Sequence, residues 1–150
     1  METLINEFRD WLQNAEITAV EIEENVGPDK DITTITFPVD EGEDYISYDI
    51  IASLMEDGPF YFYVEYCDVP DVDELELLRF VNDLNTASPL TFTVEDGALC
   101  FGYTIASDYV TDAALLARVF FDVWEAVDAV RDDIHEAFGL LPFESGEGEE

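Results

Sequence analysis

Apolar residues in this chain recur at helical spacing in three stretches and alternate in the stretches between them. In residues 2–14, Leu4, Ile5, Phe8, Trp11 and Leu12 share one stripe while Glu7 and Asp10 lie off it, which predicts an amphipathic helix. Alternation follows over residues 17–24, with Thr18, Val20 and Ile22 facing one way and Ala19, Glu21 and Glu23 the other, as in a half-buried strand. Gly27-Pro28 then marks a loop over 25–31. Residues 32–39 predict a second strand with Thr33, Ile35, Phe37 and Val39 on one face and Pro38 marking its end or a sheet edge. An acidic turn over 40–44 leads to a third strand over 45–54, apolar on both faces and therefore expected near a sheet centre. A turn over 55–59 and a fourth strand over 60–66 complete an antiparallel meander.

The spacing then returns to helical. Asp73 with Glu76 three residues on resembles a capping box, and Leu77, Leu78, Val81 and Leu84 form the expected buried stripe of a helix from Glu74 to about Leu84. Ser88-Pro89 breaks it. Strands over 90–94 and 98–104 flank Glu95-Asp96-Gly97, and Asp-Gly between β-rich runs is a strong hairpin signal. Thr111 is expected to cap a long helix reaching Phe138, with Gly139 as its stop and an apolar stripe from Leu116 through Phe120, Val123, Trp124 and Val127 to Ile134. The order is α-β-β-β-β-α-β-β-α, an α+β fold with an antiparallel sheet flanked by helices. One domain is expected over residues 1–141, followed by an acidic Gly/Glu tail over 142–150 that composition places with disordered segments.

A chain of 150 residues that is 48% hydrophobic is long enough to bury its own core. No apolar run reaches the roughly 18 residues of a membrane span, and the N-terminus, with Glu2, Glu7, Arg9 and Asp10, lacks a signal-peptide core. A cytoplasmic protein is expected. Charge changes the picture most: 37 acids face 5 bases, a net charge of -32. Such a field repels nucleic acid and anionic membranes, so neither is an expected partner. Three readings of the acidity follow: adaptation to high salt, an acidic binding protein, or a nucleic-acid mimic. A mimic needs carboxylates in a regular array, whereas these acids are spread along every segment, which favours salt adaptation.

No catalytic constellation accompanies the charge. His135 is the only histidine and stands near the end of the long helix, where a cation suits the helix dipole. A zinc site or a Ser/His/Asp triad would need more partners than this chain supplies, and neither a phosphate loop nor GxGxxG occurs. Cys67 and Cys100 are expected as buried free thiols. The densest acid clusters, Asp40-Glu41-Gly42-Glu43-Asp44 and the run Asp68 to Asp73, do not match a calcium loop and are expected as solvated turns. No catalytic, cofactor or metal residue is therefore assigned. The competing enzyme reading is a carboxylate and divalent-metal site, with Asp71 and Asp73 as its test positions.

The aromatics are more informative. In Phe60-Tyr61-Phe62-Tyr63-Val64-Glu65-Tyr66, alternation places Phe60, Phe62, Val64 and Tyr66 toward a core and leaves Tyr61 and Tyr63 on the other face. Tyr48 and Tyr103 add to one side or the other. Either the sheet is covered on both faces within one chain, or these four tyrosines mark a dimer or peptide-docking face.

The run Leu77-Leu78-Arg79-Phe80-Val81-Asn82-Asp83-Leu84-Asn85, then Leu90-Thr91-Phe92 and the hairpin Glu95 to Tyr103, resembles the YbjN-type domain, a family with the fold of type III secretion chaperones. The long C-terminal helix is similar too. The resemblance spans residues 1–141, its specific part 77–103. It implies a small, non-enzymatic, dimeric protein engaged in protein binding, chaperone-like action or regulation, with an extra N-terminal strand relative to the chaperone pattern. It carries over no functional residue; Asn82 and Asn85 match the motif and are expected as helix-end polar residues.

Overall fold

A computed structural model describes residues 2–40, 47–69 and 73–138. The expected tail over 142–150 lies outside the described residues. The elements are α1 (Glu2–Asn14), β1 (Glu21–Val26), β2 (Ile32–Val39), β3 (Tyr48–Met55), β4 (Phe60–Asp68), α2 (Glu74–Ala87), β5 (Thr91–Glu95), β6 (Ala98–Ile105) and α3 (Ala113–Phe138), with a short 3-10 turn over Ser107–Tyr109. The expected α+β order holds. The six strands form one antiparallel sheet in the order β1-β2-β3-β4-β6-β5. The meander β1 to β4 arises because each turn is short, whereas β6 reaches β4 only because α2 carries the chain past the sheet edge. The β5–β6 loop holds Asp96 at φ 52° and Gly97 at φ 79°, both positive as the favoured two-residue hairpin requires.

One face of the sheet meets all three helices. Phe60, Phe62, Val64 and Tyr66 of β4 are buried there, as alternation predicts, with Ile35 and Leu54 beside them. Phe120 of α3 sits at the centre, its ring 5.1 Å from Phe37 of β2, 5.1 Å from Phe62 and 5.9 Å from Phe8 of α1. Ile5, Phe8 and Leu12 form the buried side of α1, as the stripe predicts.

Three local readings are corrected. The first strand begins at Glu21 rather than residue 17, because the chain through Ile17 is still closing α1. Glu16 takes φ 59°, its N–H reaches the Gln13 carbonyl at 3.1 Å, and the Ile17 N–H reaches that of Leu12 at 2.9 Å, the paired bonds of a left-handed helix stop. Glu16→Gly removes the side-chain cost of that conformation and is expected to raise stability by about 1 kcal/mol in urea unfolding. The third strand is described from Tyr48, and the expected start at residue 45 falls in 41–46, which lie outside the described residues. Asp112 rather than Thr111 caps α3, its Oδ1 accepting the Leu115 N–H at 2.9 Å. In α2 the expected cap is present, the Glu76 N–H donating to Asp73 Oδ2 at 3.2 Å, but Leu78 is 57% exposed. The inward stripe is instead Leu77, Phe80, Val81 and Leu84, spaced 0, 3, 4 and 7, and Leu78 falls about 100° away from Leu77.

Candidate functional site

Among the described residues no helix covers the second face of the sheet. Pairing register lays out its rows. One runs Glu23, Thr34, Ser53, Tyr61 and Thr104 across β1, β2, β3, β4 and β6; the next runs Glu21, Thr36, Ile51, Tyr63, Gly102 and Thr91 across all six strands. Hydroxyls and two phenols fill the centre, and carboxylates stand at the margins. In a chain of net charge -32, an uncharged centre is the exception.

Tyr61 and Tyr63 lean the same way from β4 over β6. Their ring centroids lie 6.2 Å apart. Tyr61, 41% exposed, rests on the backbone at Gly102, where an added Cβ would stand 2.8 Å from the phenol oxygen. Glycine leaves that seat open. The half-buried Tyr63 hydroxyl donates to Cys100 Sγ at 3.1 Å. That bond, then burial, raises the Tyr63 phenol above its ordinary value, with Cys100, Glu95 and Glu65 adding to it. Burial raises Tyr61 as well, and Glu95 adds to it. Both phenols are protonated at neutral pH, so the pair offers stacking and hydrogen bonding rather than a base.

The expected four-tyrosine face is therefore divided. Tyr48, paired with Val39, is 7% exposed on the helix-covered side, its ring edge-on to Tyr66 at 5.6 Å. Tyr103 pairs with Phe62 on that same side, 6.5 Å between ring centroids. It lines a cleft of about 410 Å³ with Pro89, Leu90, Val123 and Ala126, at whose mouth stand Asp122 and Glu125. Only Tyr61 and Tyr63 share the open face.

The thiols suit no nucleophilic role. Burial, reinforced by Asp68, pushes Cys67 up to about 12, and burial also raises Cys100. His135 is corrected from a cation to a neutral ring. Burial lowers its pKa below the usual imidazole value, outweighing Asp132, so the dipole of α3 acts on an uncharged side chain at neutral pH. Among the described residues no group of three or more His, Cys, Asp or Glu side chains is placed to hold a metal ion. Asp71 and most of the first acid cluster lie outside the described residues. Nor is any described helix long and apolar enough to cross a membrane.

Asn85 holds a role that the sequence reading missed. It stands in the last turn of α2, which ends at Ala87, as expected of a helix-end polar residue. Its side-chain amide reaches the outer edge of β5, accepting the Phe92 N–H at 2.6 Å and donating to the Phe92 carbonyl at 3.2 Å. One amide thus replaces a neighbouring strand at an edge that would otherwise invite pairing. Asn85→Ala is expected to cost about 2 kcal/mol in urea unfolding, two bonds at roughly 1 kcal/mol each, whereas exposed Asn82→Ala costs under about 0.5 kcal/mol. Equal losses would refute the edge role. At the other edge, β1 carries Glu21, Glu23 and Glu24 and a register break between Glu23 and Val26, both features that discourage pairing.

No family model matches the chain, and no curated protein or solved structure is significantly similar to it.

Proposed function

We propose that this protein is a non-enzymatic protein-binding module, a chaperone-like or regulatory adaptor of the YbjN type with a type III secretion chaperone-like fold, working as a dimer in a salt-rich cytoplasm. The observation that carries the binding function is the open sheet face: an uncharged centre of hydroxyls and two tyrosines, left uncovered by the described helices. Aromatic and hydroxyl side chains on a rigid sheet give contact area at low ordering cost. The guarded edges direct association, whether with a partner or a second copy, toward faces rather than toward strand addition at an edge. The surrounding carboxylates keep the protein soluble and reject acidic partners.

The test uses Tyr61→Ser and Thr104→Lys, both exposed on the open face and away from the core. At the ionic strength of the native lysate, wild type is expected to retain specific host proteins that both variants lose, with melting temperatures within about 2 °C of wild type, as surface changes allow. Specific proteins retained equally by all three would sink the open-face reading.

A further inference from the structure

The six strands contain no lysine or arginine. All five cations of the chain lie elsewhere: Arg9 on α1, Lys30 in the β1–β2 turn, Arg79 on α2, and Arg118 and Arg131 on α3. Among the described residues Arg9 pairs with Glu24 at 2.8 Å, Arg118 with Asp122 at 3.0 Å and Arg131 with Asp128 at 2.7 Å. The carboxylates on the open face therefore have no countercharge within the sheet.

Two of them bracket the tyrosine pair. Glu65 stands opposite Cys100, and Cys100 opposite Thr93. The Thr93 hydroxyl donates to Glu95 Oε2 at 2.9 Å, holding that carboxylate beside the same row. The Tyr63 hydroxyl, bonded to Cys100 Sγ, thus lies over β6 between a carboxylate rooted on β4 and one held on β5. The flanking strands are two spacings apart, roughly 10 Å. An arginine side chain fits this arrangement. Its guanidinium stacks on an aromatic face and forks onto a carboxylate, a combination that ammonium reproduces less well. In an extended segment alternate residues point the same way about 7 Å apart, so one strand-like stretch presents two cations to the two carboxylates.

We infer that the open face takes a basic, arginine-bearing segment of a partner protein, seated over Tyr61 and Tyr63 between Glu65 and Glu95. The inference rests on the open-face docking reading and adds the chemistry of the occupant. Charge complementarity decides the choice. A second copy brings another net charge of -32 and no cation on its own sheet, so like charge opposes that packing.

The test is calorimetric titration of the full chain with a twelve-residue peptide of alternating Arg and Ser, and with the same peptide carrying neutral citrulline for Arg. Wild type is expected to bind the Arg peptide at least ~10-fold more tightly, the equivalent of one well-formed charged contact. Glu65→Gln/Glu95→Gln is expected to lose ~10-fold, whereas Glu125→Gln/Asp132→Asn on α3 removes the same charge and loses less than ~2-fold. Both pairs change exposed side chains, and thermal melts of each establish that the fold is retained. Equal losses from the two pairs would show diffuse attraction to an acidic surface and overturn the inference. Equal binding of the Arg and citrulline peptides, lost in Tyr61→Ser, would overturn the inference while leaving open-face docking intact. A Tyr61-dependent dimer that binds neither peptide would assign the face to a second copy and likewise overturn it.

Discussion

Phe120→Ala is expected to lower the stability of the protein by about 4 kcal/mol, and the neighbouring Phe121→Ala by less than about 1.5 kcal/mol. The two residues are adjacent in sequence and chemically identical, so only the phase of α3 separates them. Phe120 is 1% exposed and touches rings from α1, β2 and β4, which makes it the point where both layers meet. Truncation removes the transfer energy of a buried ring, leaves a cavity among side chains held by two layers, and forfeits three ring contacts worth roughly 0.5–1.5 kcal/mol each at most. Phe121 is 43% exposed and meets only the edge of Phe37, at 6.3 Å among the ring contacts described. Urea unfolding of both variants at one salt concentration measures the difference. Equal losses would mean that α3 is rotated by about one residue, 100°, and the whole helix–sheet interface with it.

The phase of α3 was legible because its apolar positions recur at threes and fours over 26 residues, enough for the period to dominate any single exception. Shorter elements left more room for error. In α2 the choice between Leu78 and Phe80 for the inward stripe cannot be made on hydrophobicity, since both are apolar; spacing from Leu77 decides it, and Leu75 and Leu78 remain more than half exposed. The start of β1 was obscured because the residues that end α1 are themselves apolar and alternating. Nothing at Glu16 signals a left-handed residue, a conformation that glycine or asparagine usually announces. Asp96-Gly97, by contrast, states its own geometry.

Parity along β4 gave the relation of Tyr61 to Tyr63 directly, because a strand's two faces alternate residue by residue. Tyr48 and Tyr103 could not be assigned in that way. Their sides depend on register with Val39 and Phe62, a pairing between strands that parity along a single strand does not fix. Asn85 is a similar case. The sequence shows an asparagine in a helix seven residues before Phe92, and only the docking of α2 against β5 turns that amide into a cover for the sheet edge. The centre of the candidate surface was thus readable from one strand, whereas its extent required the pairing of six.

Raising KCl from 0.1 to 1 M is expected to raise the melting temperature by about 10 °C, since screening contracts from roughly 10 Å to 3 Å. The source of the effect is visible on α3. Asp122–Glu125, Glu125–Asp128, Asp128–Asp132, Asp132–Glu136 and Asp133–Glu136 are acids three or four residues apart on one helix, five like-charge pairs. At about 0.2–0.5 kcal/mol each they cost roughly 1–2.5 kcal/mol at low salt, of which Arg118 and Arg131 recover part through Asp122 and Asp128. At about 3 °C per kcal/mol for a chain of this size, α3 alone accounts for roughly 5 °C, and the acids on the other elements supply the remainder. A general salt effect on burial is separated from charge relief by Glu125→Gln/Asp132→Asn, because those two residues take part in four of the five pairs. Charge relief predicts that this variant melts higher than wild type at 0.1 M and responds less to added KCl; an unchanged melting temperature between the two salt concentrations would sink the salt-adaptation reading. The same screening bears on recognition. At 1 M salt a carboxylate acts only within about 3 Å, so the acidic exterior no longer steers a partner from a distance, and discrimination falls to groups in contact. On the proposed docking reading the open face meets that condition, because its tyrosines and its bracketing carboxylates would engage a partner only at contact distance.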